Sequence, residues 1–277
     1  MNRKAVLAIA KKDITSITSS VQLFLPIIVV PLIILILVPG GLLIAARYVD
    51  VTETTNMGPI LKLLDNLPAG NLKTALDSFT DINQKMLFLF LNYFFAPLFL
   101  LIPLMAASIV SANSFAGEKE RRTLESLLFA PVDIFSLFLG KVLAAFALSM
   151  VMAVVGFILY GLVVNGLGYA IFHRLIFPEP NWWVLIFFVA PSFSFLAILF
   201  NVIVSAKVKG FQEANQMSVF VILPVLALVI SQITGALLIS SKVLWVIGIV
   251  TLLLSVFVLR QIVKHFDRNK LFESQIF

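Results

Sequence analysis

The sequence predicts an all-α integral membrane protein with six transmembrane helices, and three observations lead to that fold class. Of the 277 residues, 61% are hydrophobic, against about 45–50% in a soluble globular domain. Charged residues make up 12%, about half of the usual share. The mean hydropathy is +1.07, so a water-soluble fold of this size could not bury its apolar surface. A soluble enzyme, a nucleic-acid-binding protein and a disordered chain are therefore excluded.

Six apolar stretches are long enough to cross the hydrocarbon, which requires about 20 helical residues. We expect the spans at residues 22–46, 86–112, 137–164, 183–206, 218–239 and 243–259. Lys141 is the only charged residue within them, and near the start of the third span its side chain can reach the interface. The whole chain, residues 1–277, is therefore predicted to form one transmembrane domain.

The distribution of basic residues predicts the orientation. Six spans put both termini on one side of the membrane, together with the loops after the second and fourth spans. That side carries 14 of the 20 Lys and Arg residues. Because Lys and Arg accumulate on the cytoplasmic side, we expect cytoplasmic termini in a multi-pass protein of the plasma membrane. Trp182, Trp183 and Trp245 then fall at the outer interface, where indole rings favour the headgroup layer.

The first 20 residues precede the first span and mix charged with apolar residues at helical spacing. This pattern predicts an amphipathic helix on the inner membrane surface, and a plain basic tail is the alternative. A cleaved signal peptide is not expected, because the apolar run that follows has about 25 residues, against about 7–15 in a signal sequence.

The loops between the predicted spans contain candidate functional segments. The outer loop, residues 47–85, is predicted to hold two short helices on the outer face. The first cytoplasmic loop, residues 113–136, combines dense charges with Leu124, Leu127 and Leu128 and ends its helix at Pro131. Such an amphipathic helix can lie in the interface or dock into a groove of a soluble partner. Residues 205–217 form the second cytoplasmic loop, and residues 260–277 form a cytoplasmic tail.

The first cytoplasmic loop carries a recognisable pattern. The run GEKERRTLE at residues 117–125, followed by Leu-Leu at 127–128, Pro-Val at 131–132 and Gly-Lys at 140–141, resembles the permease subunits of type-2 ABC exporters. Arg122 stands where that family often has glycine. The Lys-Lys-Asp at 11–13 and the QEANQ at 212–216 are similar to further family features. The likeness extends over nearly the whole chain.

The resemblance implies that a separate ABC ATPase carries the nucleotide chemistry. The sequence agrees, since it has no phosphate-binding loop, no cysteine and only two distant histidines. We therefore expect no catalytic residue, metal site or cofactor in this chain, with ATP and magnesium bound by the ATPase. The resemblance also implies a dimer with a second permease copy or a paralogue, surrounded by membrane lipids. A nucleic-acid partner is not expected.

By the same resemblance, residues 118–129 are the coupling helix and residues 207–216 a second ATPase contact. The predicted coupling residues are Glu118, Glu120, Arg121, Arg122, Thr123, Leu124, Glu125, Leu128, Lys209, Glu213 and Gln216. Polar residues inside the spans either line a pathway or join helices by hydrogen bonds. The candidates for pathway lining are Asn92, Asn201, Ser192, Ser194, Gln232 and Thr234.

The function predicted from these observations is a permease subunit of an ATP-driven exporter. Three alternatives stay open: a secondary transporter driven by an ion gradient, a non-transporting membrane anchor or sensor for an ATPase, and a membrane-embedded enzyme. The sequence does not identify the transported substrate.

Overall fold

A computed structural model describes residues 2–48, 71–121, 133–233 and 240–264. Within these ranges the chain forms helices joined by short turns, without a strand. Six of the described helices are long and apolar enough to span a membrane, which confirms the predicted number. The helices are α1 (Arg3–Thr18), α2 (Val21–Ala45), α3 (Asn71–Asp77), α4 (Ile82–Glu120), α5 (Ile134–Phe172), α6 (Pro180–Lys207), α7 (Phe211–Gln232) and α8 (Ser241–Lys264). The spans are α2 and α4 to α8.

The helices α4 and α5 are longer than the apolar stretches that predicted them. Each has 39 residues, which at about 1.5 Å per residue gives about 58 Å, against about 30 Å of hydrocarbon. Aspartates cap both N-termini: Asp81 accepts a hydrogen bond from the backbone N–H of Asn83, and Asp133 from that of Ser136. Hydrogen bonds from Ser136 also hold the pKa of Asp133 below its usual value. These caps start each helix before the apolar run begins.

The central helix of the bundle is α4, most of whose residues are buried, whereas α7 and α8 expose most of theirs. The long helix α5 packs against α1, α2, α4 and α6, and α6 also packs against α8. Gly156 permits the close contact of α5 with α2, because a Cβ atom at this position would lie 2.8 Å from Cδ1 of Leu35.

Four π-helical turns interrupt the described spans, at Ile33–Leu37, Phe90–Phe94, Asn113–Gly117 and Leu185–Val189. A π turn widens the helix locally and is often found at functional sites. It also leaves backbone carbonyls available to donors from other helices. The turns Phe90–Phe94 and Asn113–Gly117 each accept such donors, and they anchor the two polar clusters of the bundle described below.

The tryptophan at position 182 faces the interior of the bundle, and its placement at the outer interface stays a prediction. Trp182 is fully buried, its ring centroid is 5.0 Å from that of Tyr160, and its indole N–H donates to the carbonyl of Asn92 at 3.0 Å. The indole N–H of Trp182 therefore has its hydrogen-bond acceptor inside the protein. Trp183 and Trp245 are half exposed.

Candidate coupling surface

One end of the bundle brings together α1, the end of α4, the start of α5, and the turn between α6 and α7. The helix α1 expected in the first 20 residues is present, and it packs on α5 through a buried stripe that contains Val6, Ile9 and Ile17. The backbone N–H of Asn2 donates to the hydroxyl of Ser136 at 3.2 Å. The placement of α1 in a membrane interface stays a prediction.

An ion quartet, buried except for the half-exposed Lys12, joins three of these helices. The Nζ of Lys141 lies 2.5 Å from Oε2 of Glu118 and 3.7 Å from Oδ2 of Asp13, and it donates to the carbonyl of Ser114 at 2.6 Å. The Nζ of Lys12 lies 2.5 Å from Oε1 of Glu118. The quartet, Lys12, Asp13, Glu118 and Lys141, therefore balances two positive and two negative charges.

The side chain of Lys141 does not extend along the outer surface of the bundle. Its side chain is 1% exposed, because α1 and α4 supply two carboxylates at the level where the lysine leaves α5. A buried charge requires such pairing together with further hydrogen bonds. The carboxyl group of Asp13 is itself buried, and this burial raises its pKa, an effect that the nearby Lys141 partly offsets.

Local sequence explains why the quartet forms here. The π turn Asn113–Gly117 widens the end of α4, and the carbonyl of Ser114 within it accepts the hydrogen bond from Lys141. Gly140 precedes that lysine, and a Cβ atom on it would lie 2.9 Å from Cβ of Ile9. Only glycine therefore lets α1 approach α5 closely enough for Lys141 to meet Asp13.

A second set of contacts joins the two loops that the family resemblance assigns to the ATPase. The Nζ of Lys119 donates to the carbonyls of Ala206 and Val208, at 3.4 and 3.2 Å. The carboxylate of Glu120 accepts a hydrogen bond of 2.9 Å from the backbone N–H of Phe211. The end of α4 thus holds the end of α6 and the beginning of α7.

These contacts create one continuous polar surface, and we name residues 118–121 and 206–216 together the coupling surface. Glu120, Arg121, Lys209, Glu213 and Gln216 are all exposed on it. Glu213 also accepts a hydrogen bond of 2.8 Å from the backbone N–H of Lys209, which orders the turn. The surface therefore exposes charges of both signs.

Not every predicted coupling residue is exposed on this surface. The side chain of Glu118 is buried, and both of its oxygens are engaged in the ion quartet. Glu118 therefore joins the end of α4 to α1 and α5 beneath the coupling surface. The other predicted coupling residues lie outside the described residues: Arg122, Thr123, Leu124, Glu125 and Leu128.

The residues predicted to line a pathway are buried inside the single chain. This is true of Asn92, Asn201, Ser192, Ser194 and Gln232, while Thr234 lies outside the described residues. They do not form one group. The amide oxygen of Asn201 accepts a hydrogen bond from Ser218 at 2.7 Å, near the coupling surface. Asn92 belongs to the π turn Phe90–Phe94 nearer the other end, and Gln232 is hydrogen-bonded to that turn.

That second polar cluster surrounds the π turn Phe90–Phe94. Gln232 donates to the carbonyl of Tyr93 at 3.1 Å, Asn181 to that of Asn92 at 2.9 Å, and the hydroxyl of Tyr160 to that of Leu91 at 2.6 Å. One turn of α4 thus binds α5, α6 and α7. The sequence analysis missed Tyr160 and Asn181, although each is a hydrogen-bonding residue in a largely apolar helix.

Six described helices of membrane-spanning length, with a charged surface at one end of the bundle, are the architecture of a multi-pass membrane protein. The sequence profile of the family described as ABC-2 family transporter protein matches residues 7–244, so the chain belongs to the ABC-2 transporter permease family. This confirms the resemblance found in the sequence. Permeases of this family are membrane subunits that normally work with an ABC ATPase. A comparison with curated proteins gives no match.

Proposed function

We propose that the chain is the permease subunit of an ATP-driven exporter and that its coupling surface docks a separate ABC ATPase. One observation carries the proposal: the loops that the resemblance assigns to ATPase contact are hydrogen-bonded to each other, through Lys119 to Val208 and Glu120 to Phe211. An ATPase seated here would therefore act on both loops at once.

The distribution of Lys and Arg supports an orientation in the plasma membrane with the coupling surface and both termini on the cytoplasmic side. ATP and magnesium bind to the ATPase, and this chain supplies no catalytic residue. Two permease chains, identical or paralogous, form the pathway within the surrounding lipids. Residues 118–129 act as the coupling helix, of which residues 118–121 are on the described surface.

The ion quartet supports a mechanism for passing movement into the membrane. When ATP draws two ATPases together, each pushes on a coupling surface whose inner side is fixed by Glu118. Because Glu118 pairs with Lys12 and Lys141, α1, α4 and α5 move as one unit. The free energy comes from the different affinities of the two states for ATP.

The test is retention of the ATPase by the purified permease. The variants Arg121→Glu and Lys209→Glu reverse exposed charges of the coupling surface, and Lys242→Glu reverses an exposed charge in the first turn of α8, at the other end. We expect the first two to reduce ATPase binding and permease-dependent ATP hydrolysis, with a salt dependence typical of rim charges, and the third to leave both unchanged.

The same preparation separates the alternatives. Full ATPase retention in Arg121→Glu, Lys209→Glu and Leu124→Asp alike would contradict the docking proposal. Transport in liposomes that follows an ion gradient without ATP would favour a secondary transporter. ATPase binding without movement of any substrate would favour an anchor or sensor.

A further inference from the structure

A polar cavity lies at the end of the bundle opposite the coupling surface. Its volume is about 510 Å³, and it opens between α3 and the segment that joins α5 to α6. Thr74 and Ser78 contribute hydroxyl groups, Phe88 an apolar wall, and Arg174 and Glu179 opposite charges. The ATPase-coupling proposal makes no use of this cavity.

The positive side of the cavity is held in a fixed orientation. The guanidinium group of Arg174 donates to the hydroxyl of Ser78 at 2.6 Å and lies 4.1 Å from the ring centroid of Phe79. A guanidinium group fixed in this way keeps further N–H donors for an anion, and its planar fork matches the geometry of phosphate.

The negative side has an unused acceptor. Glu179 is half-buried, and burial raises its pKa, which Arg174 lowers to a smaller extent. The two charges line the same cavity, yet among the described residues they form no ion pair within 4.0 Å. No described residue donates a hydrogen bond to the Glu179 carboxylate. A half-buried carboxylate favours an N–H donor that carries positive charge.

The position of the cavity along the bundle matches the level of a lipid headgroup layer. Along α5, Lys141 and Phe172 are 31 residues apart, or about 47 Å at about 1.5 Å per residue. A bilayer is about 40–45 Å thick including its headgroups. With the ion quartet at one headgroup layer, the segment that follows Phe172 reaches the other.

We propose that this cavity binds a zwitterion that carries a phosphate and a primary ammonium group, the chemistry of a phosphatidylethanolamine headgroup or of free phosphoethanolamine. The phosphate binds to Arg174 and the ammonium group to Glu179, with the hydroxyls of Thr74 and Ser78 beside them. The proposal is independent of ATPase docking.

The experiment measures lipid binding to the delipidated full-length chain by native mass spectrometry. Phosphatidylethanolamine, phosphatidylcholine and phosphatidylglycerol with the same acyl chains are compared, because choline cannot donate an N–H and the glycerol headgroup carries no cation. We expect the ethanolamine lipid to bind about tenfold more tightly than either, as when one hydrogen bond to a charged group is lost. Competition by soluble phosphoethanolamine tells whether the headgroup alone suffices.

Two variants and a control complete the test. Glu179→Gln should abolish the preference for the ethanolamine lipid, Arg174→Gln should weaken the binding of all three lipids because each carries the phosphate, and Arg47→Gln should change neither property. Arg47 is an exposed arginine at the same end that donates to the carbonyl of Leu167 and lies outside the cavity. Equal binding of the three lipids by the wild-type chain overturns the proposal. A preference for phosphatidylglycerol that Glu179→Gln leaves unchanged overturns it as well, since the site would then recognise an anion alone.

Discussion

Replacing Lys141 by methionine tests whether the ion quartet holds the coupling end of the bundle together. The lysine is 1% exposed, and its loss leaves Glu118 without its partner at 2.5 Å and Asp13 without its partner at 3.7 Å. The only remaining quartet cation is Lys12, which is half exposed. Removing one partner of a buried ion pair costs about 3–5 kcal/mol, so we expect Lys141→Met to lower the free energy of unfolding by that amount.

The assay is equilibrium unfolding in mixed micelles of a mild detergent and SDS, followed by tryptophan fluorescence. The control is Lys11→Met, which removes an exposed lysine of α1 and should change the free energy of unfolding by less than about 0.5 kcal/mol. The double variant Lys141→Met with Glu118→Met leaves Lys12 paired with Asp13. It should recover most of the loss, because apolar groups of similar size often replace a buried pair without cost.

Two results would refute this reasoning. If Lys141→Met costs no more than Lys11→Met, the lysine is solvated and the quartet does not hold the three helices. If the double variant with Glu118→Met costs the sum of its single substitutions, the two residues are not energetically coupled, and the linkage between α4 and α5 must depend on other contacts.

Three further predictions concern the same bundle. Gly140→Ala should destabilise the packing of α1 on α5 by about 1–3 kcal/mol in the same unfolding assay, whereas Gly166→Ala, with no atom within 4 Å of its Cβ, should not destabilise. Burial raises the pKa of Asp13 in the folded chain above its ordinary value of 3.8. Between 3.8 and the raised pKa the folded chain binds more protons than the unfolded chain, so the free energy of unfolding falls as the pH rises through that range. The unfolding midpoints of Asp13→Asn should not show this fall, and a variant with the same pH profile as the wild-type chain would contradict the prediction. Tyr160→Phe removes a hydrogen bond to the Phe90–Phe94 turn and should cost about 1 kcal/mol; no measurable loss would show that this bond is dispensable.

Much of the fold could be predicted because the bilayer imposes a strong pattern. Each span needs about 20 apolar residues, and six such runs correspond to the six membrane-length helices of the described chain. Helix ends were less accessible to sequence reasoning. Asp81 and Asp133 begin α4 and α5 before the apolar runs, since a cap depends on one local hydrogen bond and not on hydropathy.

The candidate site was predicted only in part, because its contacts join distant parts of the chain. Lys12 and Glu118 are 106 positions apart, and Glu120 and Phe211 are 91 apart. Charge and motif marked the segment that contains Glu118, but they suggested that the side chain points outward. Its burial depends on Lys141 and on the close approach of α1, which hydropathy does not report.

The most direct measurement of the central claim is site-specific photo-cross-linking in intact cells. A photoreactive amino acid replaces Gln216, exposed on the coupling surface, or Lys242, exposed at the other end, and adducts are identified by mass spectrometry. The proposal predicts an adduct between position 216 and a chain that carries an ABC ATPase phosphate-binding loop, and none from position 242. Absence of that adduct at position 216 while the tagged chain is fully inserted, or the same adduct from position 242, would contradict the proposal.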